Sequence, residues 1–96
     1  MKHIIHQIIE IVAEEFGVIP NAIKSRSKTE ELSLPRLAAM HLSWRYVGAA
    51  DRTISYYFNR KNGQCIRYAR QTVPTLIETN KTFANLYQNI ESKINL

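Results

Sequence analysis

Between Lys24 and Arg70 the sequence places ten basic residues against three acidic ones. That is the charge pattern of a surface that binds a polyanion. Within this stretch, Gln64 and Arg67 stand three apart on a segment with helical spacing. Glutamine can pair through two hydrogen bonds with adenine, and arginine with guanine. Asn62 and Tyr68 lie beside them, and Gly63, Arg70 and Gln71 are also read as outward positions. Arg52, Arg60 and Lys61 fall at a helix start or in a turn, where phosphates are usually held. The chemistry indicated is recognition of nucleic acid, by cations on the backbone and forked side chains on the bases.

Other reactive residues form no comparable set. His3 and His6 are three apart, a spacing that allows a shared metal, but no third ligand is near. They read as polar residues of a helix end. Cys65 is the single cysteine. Near a helix N-terminus its pKa could be lowered. A nucleophile needs a base and an orienting group, so Cys65 reads instead as a small packing residue. His41 reads as a partly buried, hydrogen-bonded histidine. Trp44 is either half-buried or faces a partner. No catalytic set, metal site or cofactor site is expected.

The elements that position the basic residues are all helical by pattern. Ile4, Ile5, Ile8, Ile9, Val12 and Phe16 follow helical spacing, with Gly17 as a stop. Pro20 suits the start of a short helix holding Ile23. Lys24 to Glu31 has no periodicity and reads as a basic loop. Ser33 is a candidate cap for a long helix with Pro35 in its first turn. Its seam is Leu37, Ala38, Leu42 and Tyr46, helped by Met40, and Gly48 ends it. Asp51 is read as the cap of a short helix to Phe58, with Ile54, Tyr57 and Phe58 inward and Tyr56 outward. A three-residue connection, Asn59 to Lys61, leads to a helix capped by Asn62. Ile66, Ala69 and Val73 form its apolar stripe, and Pro74 ends or kinks it. Thr82 is read as the cap of a final helix with Phe83, Leu86, Tyr87, Ile90 and Ile94 inward. Two short helices with a brief turn have the dimensions of a helix-turn-helix. No segment alternates with period two. The expectation is an all-α domain of five to seven helices without a sheet.

Length and composition agree. A chain of 96 residues predicts one domain, 1–96. Apolar residues make up 45%, ordinary for a globular protein rather than a disordered one. The longest apolar stretch is broken by His6, Gln7 and Glu10, so no membrane span or signal peptide is expected. One cysteine excludes an internal disulfide. A cytoplasmic, nucleoid-associated location is expected.

I-x-x-x-VAEEFGV at Ile8–Val18, AIKSRSK at Ala22–Lys28, PRLAAMHLSWRY at Pro35–Tyr46 and I-x-x-x-F at Ile54–Phe58 stand in order along the chain. Together these segments resemble the C-terminal duplex-DNA-binding domain of the bacterial replication initiator DnaA. KTFANLYQNI at Lys81–Ile90 is similar to that family's closing helix. The resemblance implies a Trp-repressor-like helical fold that binds double-stranded DNA by two routes. A helix-turn-helix enters the major groove, and a basic loop enters the minor groove, where Arg26 and Lys28 are the candidates. Pro35 and Arg36 match the family's Pro-Arg pair, which adds Arg36 to the DNA-binding set. The departures fall where sequence is read. The family's G-G-R-D-H-T-T-V-L-H-A stands here as Asn59 to Ala69, and its Leu-Pro pair as Asp51-Arg52. Ile66 and Ala69 keep packing positions, while the His-Thr-Thr run becomes Gly63-Gln64-Cys65. No G-x-x-x-x-G-K-[ST] is present, which implies a free-standing version of the module.

The expected function is therefore non-enzymatic binding of double-stranded DNA in replication or transcription control, with replication or regulatory proteins as further partners. The alternative is a protein-interaction module that keeps the fold and has lost specific DNA readout.

Overall fold

The computed structural model describes residues 2–94. Among the described residues six α-helices occur in the order α1 (Lys2–Phe16), α2 (Pro20–Lys24), α3 (Ser33–Val47), α4 (Asp51–Tyr56), α5 (Gln64–Thr79) and α6 (Lys81–Lys93). A 3-10 turn, Glu30–Leu32, precedes α3. The described residues contain no strand. The architecture is all-α, as the apolar spacing predicts. No helix among the described residues is long and apolar enough to cross a membrane.

The core is built around α3, which packs against α1 on one side and α5 on the other. Pro35 and every residue from Leu37 to Ser43 are buried. A helix buried nearly all round must be central, and its neighbours supply one apolar stripe each. Ile5, Ile8, Ile9 and Val12 come from α1, and Ile66, Ala69 and Val73 from α5. Phe83, Tyr87 and Ile90 come from α6, with Leu86 and Ile94 half-buried beside them. The expected seam of α3 needs one correction: Tyr46 is exposed, its ring lying beside the Arg45 guanidinium.

Helix starts differ from the expected ones by a residue or two. Ser33 and Asp51 are first helical residues, not caps, and neither preceding residue makes a side-chain cap bond. Asn80, not Thr82, caps α6: its Oδ1 accepts from the Phe83 amide at 3.0 Å. Asparagine there satisfies one of the amides that a helix start leaves unpaired. Pro74 does not end α5, which continues to Thr79. Proline removes one helical amide N–H, but α5 packs along α6 with Leu76 half-buried at the core, and the Asn80 backbone N–H closes the helix by donating to Leu76 O at 2.8 Å.

His41 links α3 to α6. Its Nδ1 lies 2.6 Å from the Tyr87 hydroxyl, whose oxygen accepts from Arg45 Nη1 at 3.2 Å. Arg45 pairs in turn with Glu91. With Arg45 donating to the phenol oxygen, the phenol proton is left to point at Nδ1, so the ring there is an acceptor and neutral. Burial, then the Arg45 charge, lowers the His41 pKa to about 4. Burial pushes Tyr87 up to about 12, and its bonds to Tyr87 and Glu91 hold Arg45 above its usual value. Above the ordinary histidine value of ~6.5, folded and unfolded chains both carry neutral His41. Below it, only the unfolded chain takes the proton, until the pH reaches about 4. Stability is therefore expected to fall by about 2–3 kcal/mol as pH drops across that window. Denaturation of wild type and His41→Gln between pH 7 and 5 checks this: the difference between them should narrow as pH falls, and parallel curves would contradict it.

Candidate nucleic-acid interface

The helix-turn-helix consists of α4 and α5, but its turn is longer than the spacing predicts. It covers residues 57–63, because Phe58 is fully buried without being helical. Ile54 and Phe58 face the core, Tyr57 is half-buried, and Tyr56 is exposed. Ser55 stitches the turn closed. Its Oγ donates to Arg52 O at 2.9 Å and accepts from the Gly63 amide at 3.1 Å.

The start of α5 also differs from expectation. Gly63, not Asn62, holds the N-cap position, with left-handed backbone (φ 65°). Asn62 instead accepts from the Gln64 amide through Oδ1 at 3.2 Å. Gly63 is buried rather than outward. A Cβ there would lie 2.9 Å from Arg52 N and 3.0 Å from the Asp51 carbonyl carbon. Glycine thus lets the start of α5 press onto the start of α4.

Arg70 is likewise not an outward residue. Its Nη1 donates to both carboxylate oxygens of Asp51, each at 3.0 Å, and its guanidinium lies 5.1 Å from the centre of the Trp44 ring. Trp44 is half-buried against the core. This stack ties α4, α5 and α3 together. Gln64, Arg67, Tyr68 and Gln71 remain exposed, as expected.

The basic loop is Ser25–Thr29, between α2 and the 3-10 turn. Arg36 holds it from beneath. Its Nε donates to Ile23 O at 3.0 Å, and Nη2 to Ala22 O at 3.0 Å and Ser25 O at 2.8 Å. Nη1 donates to Ser27 O. Burial and the neighbouring Arg60 charge lower the Arg36 pKa from its usual value. Its donors point into the loop backbone, so Arg36 shapes the loop, whereas the Pro-Arg match had placed it on DNA. Arg60 behaves partly in the same way, donating to Phe58 O at 2.7 Å and Ser25 O at 3.2 Å. Arg26, Lys28, Arg52 and Lys61 are exposed. Loop and turn flank a groove of about 530 Å³ lined by Lys24, Arg26, Tyr56, Asn59, Arg60 and Lys61.

Sequence reasoning missed the Arg36 clamp and the Asp51–Arg70 pair. Each joins residues 9–19 positions apart, and no local pattern marks such contacts. Cys65 is half-buried, and burial raises its pKa, so the lowered value allowed by its helix position does not arise. His3 and His6 are exposed on α1.

A short helix packed on a longer one, with exposed polar side chains at the start of the second and cations around the turn, defines a helix-turn-helix DNA-binding domain. The chain belongs to the bacterial DnaA protein helix-turn-helix family, which it matches over residues 5–73. Among its relatives is the chromosomal replication initiator protein DnaA of Bacteroides thetaiotaomicron, 28% identical over 88 residues, which cover 92% of this chain and 19% of the relative. The DnaA of Wolinella succinogenes is 26% identical over 90 residues, covering 94% and 21%. That of Thermus thermophilus is 29% identical over 84 residues, covering 88% and 19%. The chain thus spans about a fifth of the length of the curated relatives it matches.

Proposed function

We propose that this chain is a non-enzymatic, sequence-preferring binder of double-stranded DNA, acting at the nucleoid in replication or transcription control. The start of α5 enters the major groove, where Gln64, Arg67, Tyr68 and Asn62 meet base edges. The loop residues Arg26 and Lys28 enter the adjacent minor groove, and Arg52, Arg60 and Lys61 hold phosphates. Arg36 serves the site by shaping the loop. The observation that carries this reading is the single basic face formed by the loop, the turn and the start of α5. Cations line both sides of the Arg60 side chain, which borders two neighbouring grooves. Selection of bound sequences from a random duplex pool at physiological salt tests it. Enrichment of a defined sequence is expected. No enrichment and no affinity would favour a protein-interaction module on the same fold.

Mutations in the two elements are expected to act differently. Arg26→Ala and Lys28→Ala should weaken binding to most duplexes and reduce any preference for narrow-groove, A/T-rich flanks. Gln64→Ala and Arg67→Ala should instead flatten discrimination by about five- to a hundredfold per base contact. Competition between selected and scrambled duplexes reads the difference. Equal, sequence-independent losses from both pairs would reduce α5 to a phosphate contact.

A further inference from the structure

We propose that Asn59 and Arg60 are positioning residues that fasten the basic loop to the turn of the helix-turn-helix, so that both elements meet DNA at a preset spacing. This rests on the duplex-binding reading above.

Three hydrogen bonds join the two segments, 33–35 residues apart in sequence. Asn59 Nδ2 donates to Lys24 O at 3.0 Å, Arg60 Nη2 to Ser25 O at 3.2 Å, and Arg26 Nη2 to Asn59 O at 3.4 Å. Arg60 Nη1 also donates to Phe58 O at 2.7 Å, so one guanidinium is anchored to its own turn and to the loop at once. A planar fork can hold both carbonyls, whereas a lysine ammonium is a single point of charge. Ser25 O accepts from Arg36 as well, at 2.8 Å. The loop is therefore held from α3 on one side and from the turn on the other.

Asn59 has a backbone φ of 59°, the only positive value at a non-glycine among the described residues. Asparagine tolerates that conformation better than most residues, and here it adds a side-chain donor that glycine lacks. A loop already ordered loses less conformational freedom on binding.

The test uses Asn59→Gly, which keeps the backbone conformation and removes the donor, and Arg60→Lys, which keeps the charge and removes the fork. Amide hydrogen exchange at residues 25–29 is followed in the free chain. Affinity is measured for a mixed-sequence duplex of about 20 base pairs at fixed salt, a length on the order of two helical turns. Each variant is expected to speed exchange in the loop and to weaken affinity by about two- to tenfold, the worth of one or two hydrogen bonds. In the Arg60→Lys variant the salt slope should stay that of the wild type. Wild-type exchange and affinity in both variants would overturn the proposal. Full affinity in Arg60→Lys alone would make Arg60 only a charge and remove it from the fastening. If the wild type binds no duplex, the duplex-binding reading falls, while the exchange measurement still accepts or rejects the fastening of the loop.

Discussion

Raising salt from about 50 mM to about 200 mM is expected to weaken duplex binding by roughly 250- to 1,000-fold. Arg26, Lys28, Arg52 and Lys61 are exposed around the loop and turn, and half-buried Arg60, though bonded to Phe58 O and Ser25 O, adds its charge beside them. Neutralising about five phosphates gives a slope of roughly −4 to −5 for the logarithm of affinity against the logarithm of salt. The excess of basic residues between Lys24 and Arg70 overstates this footprint. Arg36 is turned into the loop backbone, Arg45 pairs with Glu91 and Arg70 pairs with Asp51. A titration of affinity across four or five salt concentrations checks the slope. A value near −1 would mean that the basic face does not lie along the duplex.

Gly63→Ala is expected to destabilise the domain by about 2–4 kcal/mol, through left-handed backbone strain and a clash. The added Cβ would lie 2.9 Å from Arg52 N and 3.0 Å from both the carbonyl carbon and Cβ of Asp51. Two of these are backbone atoms of the first turn of α4, so relief requires α4 and α5 to separate. Separation would strain the Ser55 bond to the Gly63 amide and the Asp51–Arg70 pair. Gly17→Ala is the matched control. It too has a positive φ (72°), but nothing lies within 4 Å of an added Cβ. It should cost only the backbone term, about 1–2 kcal/mol. Urea denaturation of both variants gives the comparison, and equal losses would remove the close approach as a cause.

The parts of the structure legible in the sequence are those governed by short-range periodicity. Ile5, Ile8, Ile9 and Val12, then Ile66, Ala69 and Val73, are buried as their spacing requires. The positions of Gln64 and Arg67 on the open face of α5 follow from the same pattern. What stayed hidden depends on contacts between distant residues. The turn is longer than expected because Phe58 is buried outside any helix, and Gly63 begins α5 through a backbone conformation that composition does not announce. Arg36, beside a proline at a helix start, looks like any solvent-facing cation until the loop carbonyls of Ala22, Ile23, Ser25 and Ser27 are placed around it. Pro74 lies within a helix whose packing on α6 outlasts it, and proline's local preference alone does not convey that.

The two faces of α5 do separate work. Ile66, Ala69 and Val73 hold the helix in the core, while Gln64, Arg67, Tyr68 and Gln71 stand clear of it. Surface substitutions away from caps, charge pairs and strained backbone usually change stability by no more than ~0.5 kcal/mol. The exposed face of α5 is therefore a cassette: those four positions can drift in evolution, or be randomised in a library, without renegotiating the fold. On the proposed duplex-binding reading, a lineage with this domain changes its DNA target by point substitution while the scaffold stays under its own, separate selection.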